Sequence, residues 1–337
     1  INKMDTASQS VQAMLEALQA SASRPLVLRQ VPIRDGDRIA GYVDLVSERA
    51  YKYKPDQASD LIKIPDSMQS EERSARQAML EAIADFDDAL LEKLLEETVP
   101  PPPDVSAQLA RDLREGLIVP VFLGAAEHDH GVRRLMKALR HEVPGPDRTA
   151  SRIGVAPTGE AVAEVFKSLF ASHAGKLSIA RVWRGEIAEG AVLGGKRIGG
   201  ISRLLGSQQK KAAKASLGDV VAFGRMDDVH TGDVLTPSGA RPDSMRPWPA
   251  PLPPVFALAI EAENRADEVK LMGALQRLHE EDPSLGYRQD TDVRQLLLHL
   301  QGEINLQIAS ERLKSKCNIV ARRHKPGVPY KETSQRT

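Results

Sequence analysis

The chain has 337 residues, 46 basic and 46 acidic side chains, and one cysteine, Cys317. At about 150 residues per domain, two to three domains are expected, and the balanced charge leaves any nucleic-acid or membrane contact to local patches. One cysteine excludes an intrachain disulfide, and no apolar run approaches the roughly 20 residues of a membrane span, so a cytoplasmic protein with no membrane partner is expected.

The chain opens on Asn2-Lys3-Met4-Asp5, after Ile1 and before an amphipathic stretch with Val11, Met14, Leu15 and Leu18 on one face. An aspartate at a strand-to-helix junction offers two acceptor oxygens to two adjacent N–H groups. Guanine presents such a pair and adenine does not, and a good bidentate contact gives about 1–3 kcal/mol of discrimination. The Asn2 amide ties loops or meets the purine edge, and the Lys3 stem lies along the ring. The same four residues also fit an ordinary turn with Asp5 or Thr6 as helix N-cap. Local sequence leaves both readings open.

Arg24–Ile33 reads as a strand, followed by the Asp35-Gly36-Asp37 turn and a second strand, Ile39–Val46. Ala50–Lys54 and Asp60–Ile64 read as short edge strands. Gln69 to about Glu97 reads as one long helix, with Met79, Leu80, Ile83, Phe86, Leu90, Leu91, Leu94 and Leu95 as its buried stripe. Its other side is acidic (Glu81, Asp85, Asp87, Asp88, Glu92, Glu96, Glu97), with Arg76 and Lys93 the few cations there. A charged face of this kind is ordinarily solvated surface. Pro100–Pro103 precedes a helix over Val105–Arg114. Leu117–Leu123 is a near-continuous apolar run, the pattern of a strand buried on both faces of a parallel sheet. It leads through Gly124-Ala125-Ala126 into a helix over Val132–Leu139, and Pro144–Asp147 ends the region.

Residues 153–235 alternate short strands (Val162–Leu169, Lys176–Trp183, Val192–Leu193, Arg197–Leu205, Asp219–Phe223) with glycine turns, which suggests a closed β-barrel. A proline-rich stretch from Pro247 to Pro254 reads as a linker. Residues 255–322 then read β-α-β-β-α-β: Val255–Glu263, Ala266–Glu281, Ser284–Gln289, Val293–Leu300, Glu303–Lys316 and Cys317–Ala321. That is the ferredoxin-like order. Cys317 reads as a small core residue opening the last strand.

Several motifs are decoys. Gly190 to Arg197 fits the first seven places of a P-loop but lacks the Ser or Thr that reaches Mg²⁺, and it lies between short strands, so it reads as a hairpin turn. His128-Asp129-His130 has no further metal donors nearby and reads as a polar loop. Two basic clusters, Lys196 to Lys214 and Arg312 to Lys325, lack interleaved aromatics, which disfavours single-strand stacking and leaves open a phosphate-backbone footprint on folded RNA.

The order of these parts resembles bacterial elongation factor G and its G-like paralogues. The matching stretches are Asn2-Lys3-Met4-Asp5, Gly41-Tyr42-Val43-Asp44-Leu45-Val46, Pro120-Val121-Phe122-Leu123-Gly124, Thr231-Gly232-Asp233-Val234-Leu235, Glu280-Glu281-Asp282-Pro283, Gly302-Glu303-Ile304-Asn305-Leu306 and Lys325-Pro326-Gly327-Val328-Pro329-Tyr330-Lys331. The resemblance implies a multi-domain fragment: the C-terminal part of a P-loop GTPase domain over 1–148, with an inserted subdomain at about 24–115; a translation-factor β-barrel over 149–246; a ferredoxin-like domain over 247–323; and the start of a fourth domain over 324–337. It implies a GTP/GDP site whose guanine half is Asn2, Lys3, Asp5, Ala125 and Ala126, with the Ala126 N–H meeting the guanine carbonyl. The family usually has serine where Ala125 stands, and the lost hydroxyl costs roughly 1 kcal/mol of loop support.

The resemblance further implies a monomer acting on the ribosome, through rRNA and through stalk proteins at the acidic helical insert. Mg²⁺ is expected only in a full-length parent that carries the P-loop and switches, so this chain alone is expected not to hydrolyse GTP. The rival reading is a non-catalytic ribosome-binding module or ribosome-protection factor. Ile153–Glu160 and Gly302–Gln307 depart from the usual translocation-factor patterns and point toward the G-like paralogues.

Overall fold

Residues 1–36, 38–54, 57–171, 175–206 and 208–330 are described by the computed structural model. Asp37 of the expected turn and Lys331–Thr337 of the expected fourth-domain start lie outside the described residues. The chain divides into two units, Ile1–Gly145 and Pro146–Thr337.

The first unit runs α1 (Val11–Gln19), β1 (Leu26–Leu28), β2 (Gln30–Asp35), β3 (Arg38–Asp44), β4 (Arg49–Lys52), β5 (Asp60–Ile62), α2 (Gln69–Ala84), α3 (Asp88–Leu95), α4 (Pro102–Glu115), β6 (Val119–Val121) and α5 (Val132–Glu142). The single strand expected over Arg24–Ile33 is two strands in two sheets. β1 pairs in parallel with β6, whereas β2 opens the antiparallel sheet β2-β3-β4-β5. The break falls at Arg29, whose side chain is buried and ion-paired to Glu142 at 2.6 Å. β4 is an interior strand of that sheet, not an edge; of the two expected edge strands, β5 is one.

Val31, Val43 and Ala50 of this sheet, with Leu45 just after β3, pack on Met79, Leu80 and Ile83 of α2 and on Val105 and Leu109 of α4. Burying such side chains gives about 1.5–3 kcal/mol each. The long helix expected over 69–97 is broken. The Asp87 carboxylate accepts from Leu90 N at 2.9 Å and caps a new helix, α3, while Arg111 holds its other oxygen at 3.1 Å. The break rotates the stripe, so Phe86, Leu91 and Leu95 are exposed and not core. Arg76 is likewise not on the exposed face. It is buried, donates to the Leu45 and Val46 carbonyls and meets Glu48 at 3.4 Å.

The apolar run at Leu117–Leu123 contributes only the three residues of β6 to the parallel pair. Val119 is 40% exposed, so the run is not covered on both faces: among the described residues its sheet has two strands, too few to build two buried layers.

The second unit starts with α6 (Pro146–Arg152) and continues through β7 (Val162–Ala171), β8 (Gly175–Arg184), β9 (Glu186–Ala188), β10 (Val192–Leu193), β11 (Lys196–Arg197), β12 (Ile201–Leu205), β13 (Gln208–Ala212), β14 (Lys214–Ser216), β15 (Val220–Gly224) and β16 (Val234–Leu235). The ladder order is β13-β12-β15-β8-β7-β16, with β14-β9 and β10-β11 as separate pairs. No ladder joins β13 to β16 among the described residues, so the expected closed barrel is a curled sheet with two small ribbons. One core still unites them, because Ile187, Leu193, Ile201, Ala215 and Phe223 from all three sheets are buried together.

After the prolines come β17 (Phe256–Ala262), α7 (Glu268–Glu281), β18 (Gly286–Asp290), β19 (Gln295–Leu300), α8 (Glu303–Cys317) and β20 (Ala321–His324), in the element order read from the sequence. The sheet is β18-β19-β17-β20, antiparallel throughout, with α7 and α8 supplying Leu271, Leu275, Leu278, Leu306 and Leu313 to its core. Cys317 ends α8 and does not open the strand. Asn318 at φ 55° terminates the helix, and half-buried Cys317 packs at the core's edge with burial pushing its thiol pKa up.

Candidate functional site

The loop after Ile1 and the loop after Leu123 meet through the backbone. The Ile1 amine donates to Phe122 O at 2.6 Å, Gly124 N to Ile1 O at 3.0 Å, and Met4 N to Gly124 O at 3.1 Å. Met4, only 2% exposed, anchors the first loop against Val11 and Leu123. Lys3 takes a left-handed φ of 59°, and Thr6 N closes the turn on Lys3 O at 3.2 Å. Helix α1 begins only at Val11, capped by Ser10 Oγ, which accepts from Ala13 N at 3.2 Å. Asp5 and Thr6 are therefore not its N-cap, while the turn of the alternative reading is present.

The Ala126 N–H donates to Asn2 Oδ1 at 3.0 Å across 124 residues. Asn2 thus ties the two loops, as one of its expected roles required. It also engages the N–H expected to meet a guanine carbonyl, so a base oxygen would share or replace the Asn2 acceptor there. Ala125 is buried, and its carbonyl accepts from His128 N and His130 N, both at 3.1 Å; its own N–H donates to His130 O at 3.0 Å. These backbone bonds support the loop where a serine hydroxyl is missing.

Asp5 lies at the rim with its side chain 31% exposed. Its Oδ2 is 3.5 Å from His128 Nε2, and no backbone donor meets the carboxylate among the described residues. The chemistry fits a base edge carrying two N–H groups. His128 is the neighbour sequence reasoning passed over. His130 also acts structurally: it stacks on Tyr53, centroids 4.2 Å apart and planes 3° from parallel. Burial, then the His128 charge, lowers the His130 pKa. Among the described residues no three His, Cys, Asp or Glu side chains gather as metal donors.

Two glycines permit this close approach, and glycine spacing was the available signal for them. A Cβ on Gly131, at φ 76°, would stand 2.3 Å from Leu123 O, and one on Gly124 would stand 2.7 Å from His130 O. Behind the loop, the guanidinium groups of Arg29 and Arg134 lie over the Phe122 ring, 5.4 and 5.0 Å from its centroid.

Elsewhere the P-loop lookalike is a hairpin, with β10 and β11 pairing Val192 with Arg197 and Leu193 with Lys196. In the basic cluster, Arg203 pairs with Asp219 at 2.8 Å and Lys214 with Glu186 at 2.7 Å. In the later one, Lys316 is committed to Glu281 and Arg322 to Glu263. No helix is long and apolar enough to cross a membrane among the described residues.

Residues 252–325 match the family described as Elongation Factor G, domain III. The chain is 45% identical over 335 residues to the elongation factor G-like protein of Synechocystis sp. strain PCC 6803, covering 99% of this chain and 50% of that protein. It is 31% identical over 358 residues to elongation factor G of Fervidobacterium nodosum and 30% over 354 residues to elongation factor G 2 of Syntrophomonas wolfei. Each match covers 99% of this chain and 51% of the relative. The chain is a homologue of elongation factor G and of the elongation factor G-like proteins. A crystal structure of a Thermus thermophilus protein superposes with a TM-score of 0.84 at 28% identity, covering 97% of this chain and 49% of that one. The chain spans about half the length of the curated relatives it matches. Its identity to the G-like protein exceeds that to the two elongation factors G, in keeping with the departures at Ile153–Glu160 and Gly302–Gln307.

Proposed function

We propose that this chain is part of a ribosome-associated translational GTPase of the elongation factor G-like kind, and that Asn2, Lys3, Asp5, Ala125 and Ala126 form the guanine half of its GTP/GDP site. The observation that carries this reading is the Asn2 Oδ1 to Ala126 N–H bond, which closes two loops 124 residues apart on each other. Asp5 would select the base by accepting from two ring N–H groups, and Lys3 would lie along its face.

In this reading residues 1–148 are the C-terminal part of a GTPase domain with an insert at about 24–115. Residues 149–246 are a translation-factor β domain, 247–323 a ferredoxin-like domain, and 324–337 open a fourth. No stretch of the 337 residues fits G-x-x-x-x-G-K-[ST]. In this reading no P-loop of this chain holds the GTP phosphates and Mg²⁺, and this chain alone does not hydrolyse GTP. The exposed acid side chains of α2 and α3 are the surface for stalk proteins, and the Lys196–Lys214 cluster that for rRNA phosphates. The protein acts as a cytoplasmic monomer on the ribosome.

The test uses a base without phosphate. Guanosine should perturb the amide resonances of Asp5 and Ala126 while adenosine leaves them unmoved, and Asp5→Asn should abolish the difference. Equal responses to both nucleosides, or guanosine-induced shifts that survive Asp5→Asn, would refute the site.

A further inference from the structure

A groove of about 570 Å³ opens in the first unit between β3–β4 and α5. Pockets of roughly 300–1,000 Å³ take small organic ligands. Six arginine and lysine side chains line it against three carboxylates. All three carboxylates are already engaged: Asp44 by Arg134 at 2.7 Å, Glu142 by Arg29 at 2.6 Å and Asp129 by Arg133 at 3.4 Å. Lys54 pairs with Asp60 at 2.7 Å. Arg49 and Lys137 have no carboxylate partner among the described residues. Arg133, Lys137 and His141 recur every fourth residue along α5, so they share the face that lines the groove. Arg29, 2% exposed, keeps its Nε–H without an acceptor.

The groove also has an aromatic wall. Half-buried Tyr51 stacks on Tyr42 with centroids 5.1 Å apart and planes at 24°. Tyr42 in turn meets Tyr53 at 5.6 Å, and Tyr53 carries His130. Cations with an aromatic face in a concave site suit an anion attached to a planar ring.

We propose that this groove binds the diphosphate group of a small nucleotide, with Arg49 and Lys137 meeting the phosphate charge and Tyr51 the base. It is separate from the Asn2–Asp5 loop, and it stands or falls independently of the guanine reading.

Calorimetry of the 337-residue chain with pyrophosphate and with ADP at low salt tests it. Both should bind saturably at one site with Kd of about 0.1 mM. The Arg49→Ser/Lys137→Ser variant should weaken both at least about tenfold, a loss of about 1.4 kcal/mol or more, with an unchanged melting curve. Tyr51→Leu should weaken ADP several-fold and leave pyrophosphate alone. Absence of saturation by either ligand overturns the proposal, as does equal binding by the double variant. Loss of pyrophosphate binding on Lys3→Ser, which removes the cation of the Asn2–Asp5 loop, would assign the anion to that loop and also overturn it. Binding of a short single-stranded RNA without binding of ADP or pyrophosphate would make the groove an RNA surface and refute the small-ligand assignment.

Discussion

The Arg134 Nε–H donates to Asp44 Oδ2 at 2.7 Å, joining α5 to the end of β3 across 90 residues of sequence. Asp44 is buried and Arg134 half-buried, and Asp44 Oδ1 also accepts from Val46 N, Ser47 N and Ser47 Oγ at 3.0–3.2 Å. Burial pushes the Asp44 carboxyl up, but the Arg134 charge and the Ser47 bonds together hold its pKa below the usual carboxylate range. Asp44→Ala leaves Arg134 without its closest charge partner, and a loss of about 3–5 kcal/mol is expected in a denaturant melt at pH 7. Because the folded pKa is depressed, this contribution is present above the unfolded value near pH 4 and is lost as pH falls through the folded pKa. The gap between wild type and variant should narrow as the pH drops below about 4.

Asp112 behaves oppositely. It is 1% exposed, accepts only from Gln108 at 2.9 Å and leaves Oδ2 without a donor. Burial raises its pKa to about 6. The folded state then holds the proton more tightly than the unfolded chain, so stability falls as pH rises from about 4 to 6 and stays low above that. Asp112→Asn should raise stability by about 1–3 kcal/mol at pH 7.5 and change little at pH 4, read as melting temperature at the two pH values. Equal shifts at both would show that Asp112 is not the titrating group.

In the second unit Glu281 locks α7 to β7. Its Oε1 accepts from Phe170 N at 2.9 Å and from Lys316 Nζ at 2.8 Å, and its carbonyl accepts from Lys167 Nζ. Glu281→Ala removes the acceptor of a half-buried backbone N–H and a charge-assisted pair, and should cost about 2–3 kcal/mol. Glu281→Gln retains the Phe170 bond and should cost less. Urea midpoints of the two variants decide the order.

Gly131→Ala places a Cβ against Leu123 O in a left-handed conformation. The expected cost is about 2–3 kcal/mol, and the Ala125–Ala126 loop must shift with it. The amide resonances of Asp5 and Ala126 should therefore lose their guanosine response even below the melting temperature. A retained response would show that the loop tolerates the displacement.

Helix and strand identity was largely legible because it is periodic. The β-α-β-β-α-β order of residues 255–324 appears in the structure element for element, since each segment's apolar spacing is set by its own backbone geometry. Breaks inside a periodic run were not legible. Nothing in the leucine pattern of 69–97 announces that Asp87 turns its carboxylate onto Leu90 N and restarts the helix. Arg24–Ile33 reads as continuous strand because a buried arginine is paired by a glutamate 113 residues away.

The order of parts along the chain carried the resemblance to elongation factor G, and residue type and short-range spacing gave the chemistry offered by Asn2, Lys3 and Asp5 and the failure of Gly190–Arg197 as a phosphate cradle. Tertiary contacts were needed to show that Asn2 reaches Ala126, that Ser10 and not Asp5 caps α1, and that no closing ladder joins β13 to β16 among the described residues. Each of these rests on contacts between segments far apart in the chain or on competition among neighbouring caps. The free energies involved, about 1 kcal/mol apiece, are decided by packing rather than by local propensity.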